Sequence, residues 1–252
     1  MQKVKKITLS LVLVAGFSGV ASAYCTTNVC NSGLVAIGGN FNSLGGSAAN
    51  MNAYGGYLRL GYESVFVRRY YVGTDGVIGG GVSNASGGVL GAFKKSSPFV
   101  NFEWNLRAGL NVFTDNAPLF INALVGVEKF MRSGVERTLY YVGAEARGQI
   151  PFNAGKGNVL YGAGYSFVIG DSYTFKDAAS SVNAPISGFN YGIQAHLGVE
   201  HLIGERISFF SKIIGKYYAL NSSKNANFNG ADISYPATNS YNIMLEIGIN
   251  GF

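Results

Sequence analysis

The chain has 252 residues, enough for one large domain, with 13% charged residues, 36 glycines, 16 tyrosines and 17 phenylalanines. An ordinary soluble domain carries about 25% charged residues; the scarcity of Glu, Lys and Gln here argues against a helix-rich fold and for an aromatic β protein with glycine-rich turns. Setting aside Lys3, Lys5 and Lys6 as part of a leader leaves 16 basic against 13 acidic side chains, so the net charge falls from +6 to +3, and the scattered remainder offers no nucleic-acid surface.

Residues 1–23 read as a secretory signal: a positive start, an apolar stretch from Ile7 to Val20, and an Ala21-Ser22-Ala23 cleavage site. The stretch is too short for a transmembrane helix, which needs about 20 apolar residues. The mature chain then divides into a short periplasmic segment, 24–32, and a β domain, 33–252. Cys25 and Cys30 are the only cysteines. Export to an oxidising compartment makes a small-loop disulfide the expected use. A metal site would need more ligands nearby, and Tyr24 before Cys25 fits lipid attachment poorly.

Gly33 to Phe41 is a weak strand candidate, followed by an Asn42–Asn52 loop. Ala53 to Glu63 alternates, with Tyr54, Leu58, Leu60 and Tyr62 against Tyr57, Arg59 and Glu63. Ser64–Arg68 is a connection, Arg69 to Val82 a strand, and Ser83–Pro98 a long loop. Val100 to Val112 then alternates without an error. Phe102, Trp104, Leu106 and Leu110 share the apolar phase, and Glu103 and Arg107 the polar one. After a Phe113–Pro118 turn come strands at Leu119–Phe130, Arg137–Ile150 and Asn158–Ile169, joined at Met131–Glu136 and Pro151–Gly157. Gly170–Ser187 is a long polar loop. The strands Gly188–His201 and Ile207–Leu220 are joined by a Leu202–Glu205 turn. Asn221–Ser240 is the last long loop, and Tyr241–Phe252 the last strand.

These strands are long, and a tilted strand crosses a bilayer in about 9–11 residues. Their apolar phase carries no Lys, Arg, Asp or Glu in the middle of a strand. Lys129 and His201 lie on it only at strand ends. The polar phase is mostly Asn, Gly, Gln and Ser, which suits a crowded interior better than a water-bathed surface. Strands span lipid only as closed barrels, because every backbone group must be paired there. Connections alternate between short and long, and bacterial barrels have even strand numbers with short turns on one side. Counting Gly33–Phe41 as a strand gives an all-β, antiparallel transmembrane β-barrel of about ten strands, with eight as the alternative.

With its leader, its amphipathic strands and its terminal Phe252, the stretch Gly33 to Phe252 resembles the small outer-membrane β-barrels of Gram-negative bacteria. The resemblance implies a cell outer-membrane location, contact with outer-membrane lipid and its lipopolysaccharide leaflet, and delivery by the barrel assembly machinery, for which Phe252 looks like part of the signal. Phe252 is one residue out of phase with the apolar side, and a bulge at Gly251 would restore it.

The polar phase predicts a lumen lined by Arg59, Glu63, Arg69, Asp75, Glu103, Arg107, Glu128, Arg137, Glu145, Arg147, Glu200, Lys212, Lys216 and Glu246. Mixed signs fit ion pairs filling the interior or the constriction of a narrow pore. Antiparallel pairing is expected to bring Lys216 near Glu246. Of the two histidines, His196 is expected as a hydrogen-bonding lumen residue and His201 as an interfacial one. Neither sits in a nucleophile–base constellation, so no catalytic, cofactor or metal site is predicted, and the chain is read as a non-enzyme. The expected role is a small pore or a structural surface barrel. The alternative is an adhesin or recognition protein acting on an extracellular ligand through loops 83–98, 170–187 and 221–240.

Overall fold

The computed structural model describes residues 24–25, 28–46, 50–87, 95–177, 180–204 and 207–251. The leader 1–23 and Phe252 lie outside the described residues. In chain order the strands are β1 (Tyr24–Cys25), β2 (Val29–Gly46), β3 (Asn50–Phe66), β4 (Tyr70–Ser86), β5 (Ser96–Asn111), β6 (Leu119–Arg132), β7 (Val135–Phe152), β8 (Gly157–Lys176), β9 (Ser181–Pro185), β10 (Tyr191–Leu202), β11 (Ile207–Leu220), β12 (Ala226–Phe228), β13 (Ala231–Ile233) and β14 (Thr238–Gly251). Ten of them (β2 to β8, β10, β11 and β14) pair antiparallel in sequence order, and β14 returns to pair with β2. That closing seam runs from Thr238↔Gly46 to Asn250↔Leu34 without a register shift. The barrel therefore has no free edge, which is the condition for strands to sit in lipid.

The alternation along each strand decides its faces. In β5, Val100, Phe102, Trp104, Leu106 and Leu110 are exposed on the outside, while Asn101, Glu103, Asn105 and Arg107 are buried inside. Aromatic rings mark two levels of the outer surface. One row runs through Phe167, Tyr165, Tyr191, Tyr217 and Tyr241, each in ring contact with the next, and continues at Phe41 and Tyr54. At the other end lie exposed Tyr62, Phe66, Tyr70, Phe113 and Phe152. Aliphatic side chains such as Leu106, Ile213, Leu245 and Ile247 fill the surface between. An apolar band between two aromatic girdles is the exterior of a transmembrane barrel.

Several boundaries differ from the sequence reading. Most of the expected Asn42–Asn52 loop is strand, because β2 runs to Gly46 and β3 starts at Asn50. Ser64 to Phe66 belong to β3, Ser83 to Ser86 to β4, and the Met131–Glu136 loop shrinks to a turn at Ser133-Gly134. Mostly polar, small residues occupy the β2 end from Asn42 to Gly46 and the β4 end from Ser83 to Ser86, because these rise beyond the lipid band, where no apolar phase is required. The largest change is in β8, which continues to Lys176 through the first part of the expected Gly170–Ser187 loop. Against β7 its register slips between Tyr140↔Gly170 and Tyr141↔Val168, leaving Ile169 as an extra residue. This bulge reverses the facing of everything after it, so Tyr173 and Phe175 turn inward. The β14 ladder runs regularly to Ile207↔Gly251, with no bulge there.

Candidate functional site

The lumen is stacked in three levels between the long-loop end and the short-turn end. At the long-loop end it is apolar. Leu44, Met51, Phe99, Phe130, Leu139, Tyr173, Phe175, Tyr218, Leu220 and Tyr235 form one buried cluster. Tyr173 and Tyr235 stack with ring centroids 3.9 Å apart at 8°, and Phe99 stacks on Phe130 at 5.1 Å. Tyr235 comes from the connection after the β12–β13 hairpin, so this loop reaches back into the barrel. It is pinned to the β9 segment by the Ile186↔Ser223 bridge and by the Lys224 N–H donating to the Pro185 carbonyl at 2.8 Å. Asn190 ties both to the wall: its Nδ2 donates to Asp171 Oδ2 at 2.7 Å, and its Oδ1 accepts the Asn221 N–H at 2.7 Å. Burial among these groups pushes the Tyr235 hydroxyl pKa upward.

The middle level is ionic. Arg59 pairs with Glu246 at 3.1 Å and with Asp75 at 3.5 Å. Arg107 pairs with Asp75 and, at 3.2 Å, with Glu145. Lys216 pairs with Glu103, Lys212 with Glu246 at 3.3 Å, and Arg137 with Glu128 at 2.5 Å. Neutral groups complete the bonding. Tyr57 donates to Glu246 at 3.1 Å, Tyr141 to Asn105 at 2.7 Å, Asn105 to Glu103 at 2.7 Å and Gln194 to Glu145 at 2.8 Å. Glu246 is 2% exposed and Glu103 4%; carboxylates that deep require this density of donors.

Glycines on adjoining strands let the tyrosine rings lie flat against the wall. A Cβ on Gly126 would meet the Tyr141 ring at 2.5 Å, one on Gly38 the Tyr57 ring at 2.6 Å, and one on Gly192 the Tyr218 ring at 2.7 Å.

Toward the short-turn end the lumen opens into a cavity of about 450 Å³, lined among others by Leu34, Glu63, Tyr71, Arg147, His196, Glu200, Phe210 and Lys212. Arg147 spans it, donating to the Tyr71 hydroxyl at 2.5 Å and facing Glu63 at 3.4 Å. Glu200 accepts hydrogen bonds from Ser208, from Asn158 at 3.1 Å and from Asn250 at 3.2 Å.

Of the predicted lining charges, Arg59, Asp75, Glu103, Arg107, Glu128, Arg137, Glu145, Glu200, Lys216 and Glu246 are buried inside the barrel, and Glu63, Arg147 and Lys212 line its cavity. Arg69 does not join them. It is exposed in the turn between β3 and β4, because the chain leaves strand geometry at Val67 and Arg68, both with positive φ. Lys216 is not near Glu246: β11 and β14 pair Lys216 with Asn242 and Lys212 with Glu246. The expected register was four residues off because β14 begins at Thr238, inside the expected loop. His196 lines the cavity without the expected hydrogen bond; among the described residues it has no partner. His201 is exposed at the strand end. Lys129 is on the outer face, paired with Glu136 at 3.1 Å. The sequence reading put Tyr57 and Tyr141 on the polar phase but named neither them nor Tyr71 and Tyr218 as parts of the network. The signal was phase: Tyr57 shares the phase of Arg59, and Tyr141 that of Glu145. The inward apolar cluster was also missed. Cys25 and Cys30 are direct partners in the β1–β2 register.

No protein-family model and no curated protein matches the chain. Solved structures do. The outer membrane protease OmpT of Escherichia coli superposes with a TM-score of 0.59 at 8% identity, covering 89% of this chain and 97% of that one. The fold is that of an outer-membrane β-barrel. The translocator domain of the autotransporter NalP from Neisseria meningitidis matches at a TM-score of 0.48 and 13% identity over 98% of this chain and 96% of that one. An outer membrane channel of Pseudomonas putida F1 matches at 0.40 and 11% over 91% and 97%. With the closed seam, the girdles and the lipid-facing band, the chain is a multi-pass protein of the outer membrane. In barrels of this kind the short turns face the periplasm and the longer loops the outside.

Proposed function

We propose that the chain is a non-conducting surface barrel whose lumen is filled, rather than a small pore. The observation that carries this reading is the Lys216–Glu103 pair, which joins strands β11 and β5 across the lumen. Above it the apolar cluster leaves Leu139, Phe175 and Tyr173 at 0–1% exposure, whereas a water-filled passage would wet its lining. The test is conductance of the purified protein in planar bilayers. Silence from a barrel that shows heat-modifiable gel migration is expected, and stepwise currents would overturn the reading.

A second role, recognition of an extracellular ligand, is supported by the order within the loops. Asp177 accepts hydrogen bonds from Ser180 at 2.8 Å and from Asn229 at 2.6 Å, knitting loop 170–187 to loop 221–240. Trimming these loops and loop 83–98 while the barrel stays intact is expected to abolish surface binding; unchanged binding would end the idea. Three features complete the proposal: removal of 1–23 on export, assembly through Phe252, and a Cys25–Cys30 disulfide. Cross-strand partners sit about 4.5–5.5 Å apart between Cα atoms, within the range that a disulfide bridges.

A further inference from the structure

We propose that the periplasm-facing cavity binds a short zwitterionic peptide of two or three residues, with its ammonium end on Glu200 and its carboxylate end on Lys212 and Arg147. The site goes beyond the surface-barrel reading and does not depend on conduction.

Glu200 is the first observation. It is 3% exposed, and its oxygens accept bonds only from the neutral donors Ser208, Asn158 and Asn250. Among the described residues no lysine, arginine or histidine pairs with it, whereas Glu63, Asp75, Glu103, Glu128, Glu145 and Glu246 each have a cation. A carboxylate has about four lone-pair sites, and a buried one lacks compensation until a cation arrives. Among the described residues, then, no cation balances Glu200, and a ligand's ammonium group would supply one.

The second observation is the opposite charge at another depth of the same cavity. Lys212 has a single carboxylate partner, Glu246 at 3.3 Å, for its three N–H donors. Its register partner, Gly198, is two residues from Glu200 along β10. Two residues of strand span about 6.7 Å, so the opposite charges stand at different depths of one cavity. Arg147 and His196, which has no partner among the described residues, lie one level deeper. Between the two charged ends the wall is apolar, with Leu34, Leu160 and Phe210. The cavity's 450 Å³ falls within the roughly 300–1,000 Å³ of ordinary ligand pockets. A simple anion would meet Glu63 and Glu200 as well as the cations, and a simple cation would meet Arg147 and Lys212. A molecule carrying both charges satisfies both ends.

The test is equilibrium dialysis of the detergent-purified barrel, heat-modifiable on gels, with leucyl-leucine, N-acetyl-leucyl-leucine and leucyl-leucinamide. Leucyl-leucine is expected to be retained, and acetylation or amidation to weaken retention by about tenfold each, the scale of a lost charged hydrogen bond. Glu200→Gln is expected to erase the difference between leucyl-leucine and its acetylated form. If that variant does not fold, the peptide series on the unaltered protein decides alone. Equal retention of all three peptides, or no retention of leucyl-leucine, would overturn the proposal. Bilayer currents bear only on the surface-barrel reading, so the two can fail separately.

Discussion

Lys216 and Glu103 form an ion pair from opposite walls of the barrel, since β5 and β11 stand five places apart around a ring of ten strands. Arg147 on β7 and Glu63 on β3 do nearly the same, four places apart, at 3.4 Å. The wall is thus braced through its interior as well as around its circumference. Removing one end of such a brace leaves a buried charge without a partner.

Glu103→Gln is accordingly expected to lower stability by about 3–5 kcal/mol, the cost of breaking a buried pair. The double variant Glu103→Gln, Lys216→Met should recover much of the loss. Urea unfolding of vesicle-refolded protein checks this; a double variant as unstable as the sum of the single ones would show that the pair is not coupled.

On the filled-lumen proposal, passage is blocked twice, by the apolar cluster and by the ionic level beneath it. Tyr235→Ala alone is therefore expected to stay silent in planar bilayers. Combining it with Arg59→Ala, Arg107→Ala and Lys216→Ala should admit ions, provided that the barrel still shows heat-modifiable migration. Currents from Tyr235→Ala by itself would mean that the ionic level is already permeable.

On the outer face, Leu106 sits in the lipid band between Trp104 and Leu110, while Arg107 points inward. Leu106→Arg is expected to cost about 2–4 kcal/mol near the bilayer midplane. Leu106→Ser should cost less, and the difference should shrink in thinner bilayers. Equal stability of the two variants would place this position outside the lipid band.

Gly126→Ala drives a methyl group into the Tyr141 ring, whereas a Cβ on Gly215 meets nothing within 4 Å. The first change is expected to destabilise by about 1–3 kcal/mol, the usual cost of overpacking. The second should be neutral or slightly stabilising, because alanine has less backbone entropy to lose. The same unfolding assay distinguishes them, and indifference to Gly126→Ala would show that the ring moves freely.

The disulfide prediction is checked by intact mass. Protein from the oxidising compartment should be lighter than its reduced form by two hydrogens, and should take up two alkyl groups only after reduction.

Much of this architecture is legible in the residues. The alternation in Val100–Val112 identifies both faces of β5, and the even strand count makes Gly33–Phe41 a strand. Boundaries were harder, because beyond the lipid band no apolar phase is needed and strand looks like loop. In β8 the bulge at Ile169 inverts the phase, so Tyr173 and Phe175 read as the start of a loop. In β7, Leu139 stands beside the apolar Tyr140, Tyr141 and Val142, which conceals that it points into the lumen. The charges that line the interior could be read from phase, but not their partners. Pairing across the ring depends on register and curvature, and a four-residue slip moved Glu246 from Lys216 to Lys212.

The Tyr141 ring laid over Gly126 carries a consequence for how this protein changes over time. There two positions on neighbouring strands share one volume. A larger residue at the glycine is admissible only with a smaller one at the ring. Related chains should therefore vary at these two positions together, while the lipid-facing positions around them drift independently.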